Sequence, residues 1–514
     1  MREIDQSISF FMFPFTLNNK DEYSIIGIDN FHLPEESIWK PLNLKIEEDV
    51  FFPHIQSFLQ KSVKGKEGEL NQMKSCDLFI YSLDDINWEQ NFLGDRNSYE
   101  MVWKGGRAEF FFPNSTSTFE SPKLILYPDA SVGILIIPIE MKRKGIVMNN
   151  EDTVGLNPKN MGSLMEFNYR MHKTDQQKPQ LQFQEPGNLK NEYKRFFFEK
   201  MEKLSQMIGV DYDKQKEESL TFDLPTLVNS LLSLMGLSYS LTNRKRCHVL
   251  SYIHSKDDKD LTDLEKDDFL RISRCENHLY QIINGDNDIM QTFKNIYLAA
   301  SVEGGAIMVN GNLDFFNGFK TDSLQKRYIW LYLLAIIQRY SLINMSKAIG
   351  EIDDTSDKRK IVSLQKLRDL SDRLTRVKVN TYFSDVSDYE QHNGFYHFCN
   401  KKLGVTRLLD DMEQKARTLG DCLKQKADKK SENFQLLLAM LVAFLTVFSG
   451  CNDGFELFKN LSDWNETHNP SLLIGIYWIV FGIFSLFFIL MGVRYRKELK
   501  EIISDIVFFL KKHN

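Results

Sequence analysis

Two long apolar runs near the end of the chain, Phe434 to Ser449 and Leu472 to Val493, constrain it more than any other feature. The second carries no charge, and at ~1.5 Å of rise per residue a helix of that length crosses a hydrocarbon core of about 30 Å. The first is shorter and contains Gln435, so its length alone also fits a buried core helix. Its flanks argue for the membrane. Lys424, Lys426, Lys429 and Lys430 precede the first run, Arg494, Arg496, Lys497 and Lys500 follow the second, and basic flanks mark cytoplasmic ends. The loop between them instead carries Asp453, Glu456, Asp463 and Glu466 against Lys459. The sequence thus predicts transmembrane helices at 434–449 and 472–493, an acidic outer loop at 450–471, and a basic cytosolic tail at 494–514.

The residues before 434 suffice for two or three domains with their own cores. Net charge is −6 with both signs interspersed, so the basic footprint that nucleic-acid binding requires is missing and bulk nucleic acid is not an expected partner. Cysteines at 76, 247, 275, 399, 422 and 451 lack framework spacing, which suits a reduced compartment. Ile8 to Phe15 is apolar, but Glu3 and Asp5 spoil a basic leader and no small-residue cleavage site follows, so a first strand is expected there and no signal peptide.

Residues 1–145 read as a β-rich domain. Its candidate strands are Ile8–Phe15, Tyr23–Ile28, Cys76–Tyr81, Ala108–Phe112, Lys123–Tyr127 and Val132–Ile139, with Pro128-Asp129-Ala130-Ser131 as a hairpin turn between the last two. Asn114 to Thr118 reads as a loop and Thr174 to Asn188 as a linker. Residues 146–322 read as an α+β domain, with strands at Cys247–His254, Ile296–Val302, Ala306–Val309 and Leu313–Phe316 and a helical pattern at Leu264–Ile283. Asn310-Gly311 joins the last two strands as a hairpin signal. Residues 323–433 read as helical. Tyr328 to Ile337 is strongly apolar but too short to span, so a buried helix is expected, followed by helices at Lys358–Lys378 and from Thr406 onward.

From Val405 to Ser449 there is no proline and one glycine, Gly420, so a single stalk helix could run from the cytosol into the bilayer. Asp421, Lys424, Asp428, Ser431, Gln435, Ala439, Val442, Thr446 and Ser449 recur at helical spacing and share a face. A polar seam must be hidden from lipid. It either lines a pore, with Gln435, Ala439, Val442, Thr446 and Ser449 facing the lumen, or packs helices closely through its small residues, and the pattern alone fits both.

The order of long helix, first span, Gly-x-Asn, short acidic loop, second span and basic tail resembles the CorA family of divalent-cation channels. Their Gly-Met-Asn signature aligns with Gly450, Cys451 and Asn452, which keep the glycine and asparagine and lose the methionine. The resemblance covers the C-terminal part of the chain and implies a homopentamer in a bacterial inner membrane, with Asn452 contributing to a ring of amide oxygens around hydrated Mg²⁺ or another divalent cation. The large cytosolic part and the degenerate signature look like the CorA-like effectors of type III CRISPR systems. That likeness implies an antiviral defence channel opened by a nucleotide second messenger, such as a conjugate of S-adenosylmethionine and AMP. A constitutive divalent-cation transporter closed by cytosolic Mg²⁺, and a membrane-anchored interaction protein without a pore, are the alternatives. The fold class expected is an α+β cytosolic region, a stalk helix and a two-helix transmembrane hairpin.

Other constellations have ordinary explanations beside functional ones. The acidic stretch Asp257, Asp258, Asp260, Asp263, Glu265, Asp267, Asp268 lacks EF-hand spacing and reads as a solvated loop and helix start. Cys275 and His278 have no second pair at zinc-finger distance. Gly105-Gly106 and Gly304-Gly305 suit tight turns, and neither forms a phosphate-cradling motif. The run Asn243-Arg244-Lys245-Arg246 could meet a phosphate at a strand edge or simply be a solvated loop. No Ser-His-Asp or Cys-His signature is present, so an enzyme is not expected.

Overall fold

The computed structural model describes residues 2–17, 39–42, 50–60, 78–83, 99–103, 106–113, 121–150, 153–156, 159–173, 180–182, 221–233, 235, 238–242, 246–277, 279, 288–311, 324, 326–354, 360–415 and 417–418. Beyond them it describes Asp421, Gln425, Asp428, Glu432, Gln435, Leu438, Ala439, Val442, Thr446, Ile479 and Gly482. The chain divides into two compact units, Met1–Leu419 and Gly420–Asn514.

The first unit is built on β1 (Gln6–Leu17), whose aromatic, β-branched run is buried on both faces. Phe11, Phe13 and Phe15 enter one core, with Phe167 and Leu231. Even positions face the other way, where Thr16 donates to Asn344 at 3.2 Å. β1 pairs antiparallel with β7 (Val132–Asn150) and with β12 (His248–Ser255). β12 runs parallel to β15 (Gly304–Asn310), and β14 (Ile296–Ala300) and β13 (Ile289–Phe293) complete that side of the sheet. On the other side β7 pairs with β5 (Gly106–Phe111), β6 (Lys123–Tyr127) and β8 (Thr153–Leu156). The remaining strands are β2 (Trp39–Pro41), β3 (Phe79–Leu83), β4 (Tyr99–Trp103), β9 (Gln180–Gln182), β10 (Thr221–Asp223) and β11 (Tyr239–Leu241). Position 145, where composition set a domain boundary, lies within β7.

Helices cover both faces. With α1 at Pro53–Gln60, the face carrying Phe11 meets α2 (Met161–His172), α3 (Leu224–Ser233) and α4 (Asp263–Arg274). A capping box starts α2, with Asn160 Oδ1 accepting from the Ser163 amide at 2.9 Å. Another starts α4, where the Thr262 amide donates to Glu265 at 3.0 Å. The acidic stretch is thus a loop and helix start. On the opposite face lies α5 (Ile329–Asp354), packed with α6 (Lys360–Thr381) and α7 (Glu390–Lys402). Its segment from Tyr328 to Ile337 is buried, as expected of a core helix.

The expected class is corrected in one respect. The described chain is an α+β fold with a large mixed sheet, and among the described residues no helix is long and apolar enough to cross a membrane. That finding overturns the two-helix transmembrane hairpin and the multi-pass inner-membrane placement expected with it. The physical reason is that apolarity demands withdrawal from water without specifying the solvent, and the apolar helix that is described, α5, is withdrawn into protein. Of the two spans, only Gln435, Leu438, Ala439, Val442, Thr446, Ile479 and Gly482 are described, and the rest lies outside the described residues. Tyr23–Ile28, Asn114–Thr118 and Leu313–Phe316 lie outside them too.

Candidate functional site

Four chain segments meet at the N-terminal ends of the parallel pair β12 and β15. The end of α2 is stitched to the start of β12, because the Cys247 amide donates to the His172 carbonyl at 3.1 Å and Lys173 bridges to Arg246. The turn before β15 is fixed by Ser301, whose hydroxyl donates to the Ser273 carbonyl at 2.8 Å and accepts from the amides of Glu303 and Gly304. Gly304 lets these segments close. A Cβ there would lie 2.5 Å from the Val249 carbonyl oxygen and 2.8 Å from that of Ser273. Its lack of a side chain thus serves close packing at the start of β15.

Three side chains converge there. Arg246 forms an ion pair with Glu303 Oε1. His172, 1% exposed, places Nε2 3.7 Å from Glu303 Oε2. Its Nδ1 lies 2.9 Å from the Tyr169 carbonyl oxygen, which can only accept, so Nδ1 carries the proton and Nε2 a lone pair in the neutral ring. Burial holds the His172 pKa down at about 4, with Arg246 and Lys173 adding to the effect against the pull of the Tyr169 carbonyl. At neutral pH an uncharged acceptor thus faces a carboxylate, and Nε2 makes no hydrogen bond to any described residue.

The rim adds charge and an aromatic face. Lys173 Nζ sits 3.8 Å from the centroid of the Tyr169 ring. Glu276, at the end of α4, has a buried Oε2 without a partner among the described residues. Its carboxyl is pushed up by burial and by Glu303, against Arg274 and Arg271. Cys247 and Cys275 lie beneath, with thiols raised by burial, so they are thiols and not thiolates at neutral pH. Cys275 ends α4 in a left-handed conformation, φ 52°. His278 lies outside the described residues. No group of three or more His, Cys, Asp or Glu side chains among the described residues is placed to hold a metal ion.

Of the run 243–246, Arg246 alone is described, exposed at the edge of β12. Sequence reasoning singled out neither His172 nor Glu303, since nothing local marks either as part of a site. Within the second unit, Gln435, Ala439, Val442 and Thr446 are helical and exposed, in step with Asp421, Gln425, Asp428 and Glu432. Thr446 Oγ1 donates back to the Val442 carbonyl at 2.8 Å. Ser449, the signature Gly450, Cys451 and Asn452, and the loop acids Asp453, Glu456, Asp463 and Glu466 lie outside the described residues.

The fold and this corner define a mixed-sheet α+β protein with a polar, partly buried side-chain cluster at the start of two parallel strands. No family model matches the chain, and neither a curated protein nor a solved structure matches it significantly.

Proposed function

We propose that the chain is a nucleotide-responsive effector whose α+β unit binds a small phosphate-bearing ligand at the Tyr169–Lys173–Arg246–Glu303 corner, without turning it over. The observation that carries this is the unpartnered Nε2 of buried His172 beside Glu303. The buried Nε2 lone pair lacks a donor, and leaving such a group unsatisfied costs about 1–3 kcal/mol. A ligand N–H would supply that donor. Arg246 and Lys173 offer charge to a phosphate, Lys173 being carried against the Tyr169 ring. The likeness to type III CRISPR effectors makes an S-adenosylmethionine–AMP conjugate a sensible member of the first panel.

Thermal shift of the full chain against adenine nucleotides and that conjugate tests this. A ligand should raise Tm in proportion to the logarithm of its concentration, and Arg246→Ala should abolish the shift. No shift with any of them, or a shift unchanged in Arg246→Ala, rejects the site.

A further inference from the structure

One tyrosine touches both strands whose starts carry this polar cluster. The first residue of β12, His248, follows Arg246 and Cys247 and points to the opposite face of the sheet, where its Nε2 hydrogen-bonds the Tyr332 hydroxyl. Its ring lies 5.5 Å from that of Tyr332, centroid to centroid. The second strand reaches the same ring: a Cβ on Gly305, two residues beyond Glu303, would come within 2.8 Å of it. Tyr332 is fully buried. A shift of either strand start is therefore felt by this ring, because close-packed interiors transmit displacement.

Tyr332 lies near the start of α5, and Arg339 follows seven residues later on the same face, about 10.5 Å along the axis. Arg339 donates to the Leu403 carbonyl, at the point where α7 ends. Gly404 then takes a left-handed conformation, φ +69°, and a new helix of residues 405–415 begins. That helix is tied back to α5 by Lys415, which donates to Ser346 Oγ at 2.9 Å, and to α6 by Lys378, 2.5 Å from Glu413. Its chain continues directly into residue 420, where the second unit starts.

We propose that Tyr332 couples the polar cluster to the Gly404 break, with α5 as the rigid element between His248 and Leu403. The inference rests on the binding site proposed above and adds its regulation: occupancy displaces the starts of β12 and β15, α5 shifts with Tyr332, and Arg339 changes its hold on the origin of the 405–415 helix. A ligand works this device only through its different affinity for the two arrangements.

A ligand-free double-mutant cycle tests the coupling on the full chain, read by hydrogen exchange of amides 403–412. Glu303→Gln, which breaks the pair with Arg246, should change exchange there several-fold. In a Tyr332→Leu background, which removes both the ring and the hydroxyl, the same change should have little effect. Arg339→Met provides an independent break at the far end and should give the same silencing. An effect of Glu303→Gln that persists in both backgrounds, or no effect in the parent, overturns the coupling. Because no nucleotide is added, that outcome is separate from failure of the ligand panel, which rejects the site itself.

Discussion

Asp129, with no exposed surface, accepts a hydrogen bond from Arg373 at 3.1 Å, and this pair joins the turn between β6 and β7 to helix α6. Arg376, one turn further along α6, reaches both oxygens of the same carboxylate at 3.1 Å. The turn Pro128–Ala130 with left-handed Ser131 is also held by Asn344 of α5, which donates to the Ser131 carbonyl at 3.2 Å. A local hairpin signal has thus become an anchoring point for two helices.

Asp129→Ala should cost about 1–3 kcal/mol, because it takes one carboxylate from the buried Arg373 guanidinium, whose Nε keeps Asp369 at 3.1 Å. Arg376→Ala should cost about 1 kcal/mol or less, since that side chain is 41% exposed and Arg373 remains. Urea unfolding midpoints of the two variants check the ranking.

Acid should weaken the fold through two imidazoles. Burial pushes His172 down to about 4 and His248 down to about 3, with the nearby Arg339 adding to the effect at His248. The unfolded chain takes up these protons near the ordinary value of about 6.5. Between there and the folded values the unfolded state binds more protons, so stability falls as pH falls through this window, and the loss is complete below about 3. His248→Gln should flatten the dependence of unfolding free energy on pH between 6 and 4, as measured by denaturant titration at each pH.

The two glycines near α5 should fail for different reasons. Gly305→Ala drives a methyl into the Tyr332 ring and should cost about 1–3 kcal/mol through overpacking. Gly404→Ala makes only ordinary van der Waals contact, with Arg339 Nη1 at 3.5 Å. It should cost about 1–2 kcal/mol through its left-handed backbone alone. Gly404→Asn should recover part of that loss, whereas Gly305→Asn should be worse than Gly305→Ala, and thermal melts of the four variants separate the cases.

The α4 cap offers a smaller effect. Thr262→Ala should cost about 1 kcal/mol by freeing the Glu265 amide. Glu265→Ala should cost more, since Glu265 also binds buried Arg2, 3.3 Å away. Chemical denaturation of both checks the order.

How much was legible depended on how local the cause was. β6 falls at Lys123–Tyr127 as expected, since its run and its turn are adjacent in sequence. For the expected Leu264–Ile283 the described helix is Asp263–Arg274, ended by Cys275, and residues 280–283 lie outside the described ones. The second strand expected beyond Asn310-Gly311 lies outside the described residues; there the Gly311 amide is taken by the Ser255 carbonyl at 2.9 Å, and the described antiparallel partner of β15 is β14, reached through Ser301 and Glu303. No periodicity announces that β12 lies parallel to β15. The polar cluster inherits that difficulty. Arg246 stood out as part of a basic run, but His172 and Glu303 acquire meaning only when α2, β12 and the turn before β15 are brought together.

By itself the sequence determined which segments alternate, which cap and which must leave water, because those properties follow from neighbouring side chains. It marked Tyr328–Ile337 for burial and left open what would bury it. Tertiary structure decided that α5 is covered by protein, that one of its tyrosines meets two strand starts, and that a buried histidine faces a carboxylate across the sheet's end. The physical reason is that these contacts arise from non-local strand pairing and close packing, whose partners are chosen by the whole chain.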